Sequence, residues 1–592
     1  MYKTPLKDTL FNWQHLLGFD DLTRQLGRDD FSLDLAAAVL EEAGKLAGDI
    51  LSPLNQTGDQ KPPQRLENGD VQTSPGFAAA WQAFSAAGWP AMEADEAWGG
   101  QQMPFTVTAA VNELWHGANM SFGLCHLLTQ GQIYALQKSA SPQQKQTYIP
   151  PMAEGRWTGT MNLTEPQAGT DLGALKTRAE KQGDHYLITG QKIYITWGEH
   201  DMAENIIHLV LARTPDAPPG IKGISVFIVP KFLVNEDGSL GARNQLRCLS
   251  IEKKLGIKAS PTAVLAYEGA VGWLVGEENK GLEIMFGMMN HARFSVGAQG
   301  LAISEMAVQK AAAYAFDRVQ GTPLEGRAGQ PIIHHPDVLR QVGMMRAETE
   351  AMRAVMLLVA AEMDRAHYLD GPEAEAADQR AALLVPVIKG WLTERSLAVT
   401  SEAVQVHGGM GFIEETGIAQ LYRDARILPI YEGTTAIQAN DLIFRKTLRD
   451  GGAAVRALLA EIKEDARQLQ QSGHPQPQQA AACLHAACQQ AEQALDYLQA
   501  SANEPRRAAA NGSHWVMLLG WLCGGWQMAR AAGKAVELLA AGEGDADWLQ
   551  AKLASADIYM HQHLPQLQML TAQICGGDKA VLAMQPDWLA LN

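Results

Sequence analysis

Between about residues 156 and 272 the apolar pattern changes period, and this change constrains the fold more tightly than any other feature of the chain. Tyr186-Leu187-Ile188-Thr189-Gly190 and the runs from Ile206 to Leu211, Ile224 to Pro230 and Thr262 to Tyr267 are short and β-rich, parted by turn residues such as Gln182-Gly183-Asp184. On either side the apolar residues return at helical spacing. Leu35, Val39, Leu40, Ala43 and Leu51 do so upstream. Downstream, the segments from Ala292 to Tyr314, Val338 to His367 and Arg380 to His407 are long enough to make an antiparallel bundle. The pattern predicts a mainly α chain with an inserted β domain.

Residues 1–33 read as an extension whose apolar positions (Leu6, Leu10, Phe11, Trp13, Leu16, Leu17) suit docking on another domain. An all-helical domain is expected over 34–155, ending near Pro150-Pro151, then the β domain over 156–272 and a helical bundle over 273–450. Past Gly451-Gly452 the composition turns to Ala, Gln and Leu, which places a further helical domain of about four helices at 456–592. A chain of 592 residues exceeds what one core serves, so several domains and room for a large cofactor are expected.

The net charge of -17 argues against a protein built around nucleic-acid phosphates. Six scattered cysteines without a C-x-x-C pair suggest neither a disulfide framework nor a zinc site, and His334-His335 beside Pro336 reads as a loop, so no metal is expected. The N-terminus lacks the apolar run of a signal peptide, which predicts a cytoplasmic protein. The stretch from Trp515 to Met528 is too short to span a bilayer and is interrupted by Gly520, Gly524 and Gly525; it reads as a buried helix, and membrane contact is not expected.

Five stretches carry candidate chemistry. In Tyr431-Glu432-Gly433-Thr434-Thr435, Glu432 is a carboxylate just before a glycine and a helix start. It can cap that helix through the N-terminal dipole, or act as a general base whose pKa burial raises toward the working pH. Thr164-Glu165-Pro166-Gln167-Ala168-Gly169-Thr170-Asp171 is a turn-rich loop fit to hold a polar ring edge or a phosphate, or simply a turn between domains. Gly190 to Gly198 alternates as a strand, which puts Tyr194 and Thr196 on one face, a surface suited to an isoalloxazine ring. Asn290 and Arg293 lie one helical turn apart, as a solvated pair or a substrate contact. Gln405-Val406-His407-Gly408-Gly409-Met410-Gly411 ends a helix in glycines that permit close backbone approach.

In this order, from about residue 34 to 449, these stretches resemble the acyl-CoA dehydrogenase family. The extension and the extra C-terminal domain are similar to its longer branch. The resemblance implies a helical domain, a β-barrel-like domain and a four-helix bundle, with FAD and a CoA thioester bound. It implies that Glu432 removes the substrate α-proton while the β-hydride passes to flavin N5, giving a trans-2-enoyl-CoA. The Glu432 backbone N–H and a ribityl hydroxyl would hold the thioester oxygen. The pathway implied is fatty acid β-oxidation, or catabolism of the 3-(methylthio)propanoyl-CoA type.

Carried over residue by residue, the flavin contacts fall on Met161, Leu163, Thr164, Thr170, Tyr194 and Thr196. Arg318 with Gln405, Gly408 and Gly409 matches positions reaching the ADP half of FAD across a dimer interface, and Thr434 an adenosine contact. Asn290 and Arg293 match the CoA-contacting pair, and Tyr431 and Gly433 flank the base as substrate contacts. The sequence departs from the family pattern at Asn290 (an acid is usual), Tyr194 (Trp), Trp197 (Asn) and Gln167 (Gly). Ala292 stands where some members carry the base instead. An electron-transfer flavoprotein is the implied acceptor. A homodimer is expected, with the helical patterns Ala480 to Leu498 and Trp515 to Leu539 covering the face that shorter members use to form tetramers. A flavin oxidase and a nucleic-acid-binding alkylation-response relative are the competing readings.

Overall fold

The computed structural model describes residues 2–590, apart from the side chain of Asn290. The chain forms two compact units, one made of Tyr2 with residues 42–295 and the other of residues 3–41 with 296–590.

In the first unit, helices Phe105–Ala118, Met120–Ser139 and Pro142–Ala153 follow one another, the starts of the last two fixed by side-chain caps. The Asn119 side chain accepts from the Phe122 N–H at 3.1 Å. Ser141 and Gln144 cap each other's backbone N–H groups ahead of Pro142 at the first helical position. The region before residue 155 is not wholly helical: Gln64–Arg65 pairs with Val71–Gln72. Asn68-Gly69 closes this ladder, with Gly69 at φ 91° and the Asp70 N–H donating to Asn68 Oδ1.

Seven strands then make one sheet in the order Trp157–Asn162, Asn205–Ala212, Ser225–Pro230, Thr262–Leu274, His185–Thr196, Arg178–Gln182, with Leu246–Ile251 also paired to Thr262–Leu274. Only the first pair is parallel. Strand Asn205–Ala212 is apolar along most of its length because both faces are covered. Ile207, Leu209 and Leu211 pack with helix residues such as Ile133, Leu136 and Met152, while Val210 and Ala212 pack with Ile188, Ile195 and Leu265.

The second unit is built on the later part of helix Gly281–Asp317 and on Pro336–Tyr368, Gly371–Val406 and Gly512–Ala541. The glycines that interrupt the apolar run in this last helix are packing notches. A Cβ on Gly520 would lie 2.2 Å from Trp391, so only glycine lets the two helices approach this closely. Among the described residues no helix is long and apolar enough to cross a membrane. The extension folds as Leu6–Phe11, a π-turn and Phe19–Gln25. It is held by buried charge: Asp8 meets Arg353 at 2.6 Å and also Lys552, which reaches Glu350 at 2.8 Å.

Candidate active site

The loop that follows strand Trp157–Asn162 is organised by Glu165, which is buried. Its carboxylate accepts from Lys192 Nζ at 2.8 Å, from the Thr177 hydroxyl at 2.6 Å and from the N–H groups of Lys176 and Thr177. Lys192 Nζ also donates to the Leu163 carbonyl at 2.9 Å, and the Ile193 N–H to that of Thr164. Burial alone would raise Glu165, but the Lys192 charge and these hydrogen bonds outweigh it and hold the carboxyl at about 2. Burial brings Lys192 down to about 8, partly offset by Glu165. At neutral pH the two form an ion pair that fixes the segment holding Leu163, Thr164 and, farther along, the exposed Thr170. Arg213 clamps the next turn, donating to the carbonyls of Gly173, Leu175, Pro218 and Gly220 at 2.7 to 3.2 Å.

Strand His185–Thr196 is bulged near its end. Its register against Thr262–Leu274 shifts between Lys192 and Ile195, and Tyr194 lies at φ 60°. Tyr194 is 62 % exposed and Thr196 half-exposed, with buried Ile195 between them, so the two stay on the accessible side, turned there by a bulge rather than by regular alternation. Trp197, also at positive φ, is wholly buried; its Nε1 donates to the Ser121 carbonyl at 3.0 Å. Its place is in the core, beside Phe77 and His200. Arg293 is half-buried on helix Gly281–Asp317 and Ala292 is buried, whereas the Asn290 side chain lies outside the described residues.

In the second unit, Glu432 sits in a short irregular segment between Ile418–Ala425 and Thr435–Asn440. It is half-buried and held at φ 53°, followed by Gly433 at φ 90°. A non-glycine residue in that region is strained and needs support from its surroundings. Gln438 Nε2 supplies some, donating to the carbonyls of Glu432 and Gly433 at 3.2 and 3.1 Å. The Tyr431 hydroxyl donates to Gln299 Oε1, and that of Thr435 to Glu394 at 2.6 Å. Burial, then the Glu432 and Asp424 charges, push the Tyr431 phenol above its usual range, so it stays a neutral donor. Gly408 and Gly409 are open, with nothing within 4 Å of an added Cβ. His407 before them stacks on Tyr314 with centroids 4.4 Å apart, and its Nδ1 meets the Ala403 carbonyl at 2.7 Å. Arg318 and Gln405 are exposed, as is Thr434.

In the first unit the half-exposed hydroxyls of Thr164 and Thr196 and the outward Tyr194 have chemistry suited to a flavin ring; in the second, the exposed Arg318 and the open Gly408-Gly409 pair have chemistry suited to a pyrophosphate. A carboxylate fixed in a strained loop fits proton abstraction. Successive parts of the chain match models of the acyl-CoA dehydrogenase N-terminal domain (residues 60–156), middle domain (160–270) and C-terminal domain (279–446), and an acetyl-CoA dehydrogenase C-terminal-like domain (458–585). The chain belongs to the acyl-CoA dehydrogenase family, whose members are oxidoreductases with FAD as cofactor. It is 48 % identical over 589 residues to the 3-methylmercaptopropionyl-CoA dehydrogenase of Ruegeria pomeroyi, covering 98 % of this chain and 99 % of that one. Among solved structures it resembles ACDH-11 of Caenorhabditis elegans in complex with C11-CoA (TM-score 0.76, 20 % identity, 95 % and 92 % covered). It also resembles the acyl-CoA dehydrogenase of Bacillus anthracis complexed with FAD (TM-score 0.70, 21 % identity, 94 % and 91 % covered). The last two establish the shared fold.

Proposed function

We propose that this protein binds FAD and dehydrogenates a short acyl-CoA thioester between its α and β carbons, with Glu432 as the base. The observation that carries the reading is the strained, half-buried Glu432, flanked by Tyr431 and Gly433 and buttressed by Gln438. Strain of this kind persists where the surroundings over-determine it, as at reacting centres. The near full-length likeness to a 3-methylmercaptopropionyl-CoA dehydrogenase supports a thioether-bearing acyl-CoA as the first substrate to try.

Glu432 accepts the α-proton, and its backbone N–H polarises the thioester carbonyl, stabilising the negative charge that develops on that oxygen. Asn290 and Arg293 hold the CoA moiety. Bound FAD supplies the hydride acceptor for the β-carbon. Leu163, Thr164, Thr170 and Thr196 position the ring with Met161 and Tyr194, and Arg318, Gln405, Gly408, Gly409 and Thr434 hold the nucleotide end.

The protein acts as a cytoplasmic homodimer that delivers its electrons to an electron-transfer flavoprotein. Supporting the dimer, apolar side chains stand exposed around the Arg318 and Gly408-Gly409 segments: Phe412 is 87 % exposed, Leu324 79 % and Phe316 63 %. Anaerobic titration of the purified flavoprotein with a panel of acyl-CoA thioesters tests the reading. Bleaching by 3-(methylthio)propanoyl-CoA and other short chains is expected; a flavin that no acyl-CoA bleaches would overturn it.

A further inference from the structure

The first unit holds a buried polar cluster that the chemistry above does not use. Glu93 Oε2 lies 3.0 Å from His291 Nε2. The His291 ring lies nearly parallel to that of Tyr134, their centroids 5.8 Å apart. His126, on helix Met120–Ser139, is wholly buried, with its ring against those of Phe84 and Trp115 at 5.0 and 5.2 Å. Neither ring nitrogen of His126 has a hydrogen-bond partner among the described residues. Burial, partly offset by Glu93, holds His126 down to about 4, so at neutral pH the ring is uncharged and carries one N–H. Leaving such a donor unpaired in the interior is costly, so a further group belongs beside it. His291 shares its helix with Ala292 and Arg293, which ties the cluster to the segment proposed to meet the CoA thioester.

We propose that His126, within the Glu93–His291 cluster, reads the tail of the acyl group and selects a chain carrying a hydrogen-bond-accepting heteroatom, such as a thioether sulfur, over an all-carbon chain of equal length. The inference rests on the acyl-CoA reading above. A sulfur or oxygen in the tail accepts from the imidazole N–H, whereas a methylene leaves it unpaired, and sites built to hydrogen-bond a ligand reject analogues that lack the group. Sulfur also gains from aromatic rings, here those of Phe84 and Trp115.

The test compares 3-(methylthio)propanoyl-CoA with pentanoyl-CoA, which replaces sulfur by a methylene, in the FAD-loaded enzyme. The wild type is expected to favour the thioether in kcat/KM by about fivefold, the yield of one hydrogen bond of ~1 kcal/mol. His126→Leu should bring the ratio near one, mostly through KM, while His126→Asn, which keeps a donor, retains part of the preference. Dissociation constants read from the flavin spectrum in a Glu432→Gln background should show the same pattern without turnover. A wild-type ratio near one, or a ratio unmoved by His126→Leu, overturns the proposal. Should His126→Leu fail to hold FAD, the wild-type ratio and His126→Asn decide on the same terms. If no acyl-CoA bleaches the wild type, the acyl-CoA reading itself falls; if both bleach it with no preference, only the role of His126 does.

Discussion

Lys192 meets Glu165 at 2.8 Å in an ion pair with almost no side-chain exposure, and through the Leu163 carbonyl the same ammonium holds the loop proposed to carry the flavin. Breaking a buried pair by removing one partner leaves a charge uncompensated, which costs about 3–5 kcal/mol. Lys192→Met should therefore lower the melting temperature and, in whatever protein remains folded, weaken FAD retention. Thermal melts with flavin content measured on the same samples check this. Full flavin occupancy and an unchanged melt would remove Lys192 from that role.

The same pair predicts an acid limb. Glu165 is depressed from its ordinary value near 4.5 to about 2. Its contribution to stability is therefore fully present above about pH 4.5 and is lost as the pH falls toward 2. In Glu165→Gln, denaturation midpoints followed across that window should fall less steeply than in the wild type. Parallel curves would show that other carboxylates carry the acid sensitivity.

Asp8 makes the extension part of the second unit. Burial would raise this carboxyl, but the Lys552 and Arg353 charges hold it below its usual range. Asp8→Asn leaves those two cations with less compensation and should cost about 3 kcal/mol, read as a lower denaturant midpoint. The kcat of the folded fraction should be unchanged, since Asp8 touches none of the proposed site residues.

Gly433 is constrained twice. At φ 90° an L side chain is strained, and an added Cβ would lie 2.8 Å from Gln438 Nε2, the group that holds the Glu432 carbonyl. An unstrained Gly-to-Ala exchange stabilises by up to ~1 kcal/mol, whereas Gly433→Ala should destabilise the protein by more than that and lower kcat with little change in FAD content. A variant with normal kcat would show that the loop does not set the position of the base.

The order of helical and β segments was legible because the apolar period differs between them, and the residues flanking Glu432 were legible as a motif. The devices that hold the site were not. Tyr194 and Thr196 were expected on one face by simple alternation, but a bulge produces that exposure, and a bulge depends on pairing with a distant strand. Lys192 looked like one more polar residue in a strand; its partner lies 27 positions away. Simple alternation places Lys192 on the same face as Tyr194 and Thr196, so nothing local in the sequence marks it as buried. Trp197, a departure from the family pattern at the ring, proves to be a core residue. The left-handed backbone of Glu432 and the bare nitrogens of His126 arise from tertiary packing that no local pattern encodes.

The central claim is that Glu432 is the base. Glu432→Gln is nearly isosteric and keeps the backbone N–H, so the variant should still bind FAD and acyl-CoA. Ala292, just before Arg293, cannot take a proton and so offers no alternative base there. Anaerobic stopped-flow mixing of this variant with 3-(methylthio)propanoyl-CoA is the most direct measurement. The account predicts flavin reduction slowed by more than the ~100-fold to 10,000-fold typical of general acid–base catalysis, with acyl-CoA affinity retained. Reduction at a near-normal rate would contradict it.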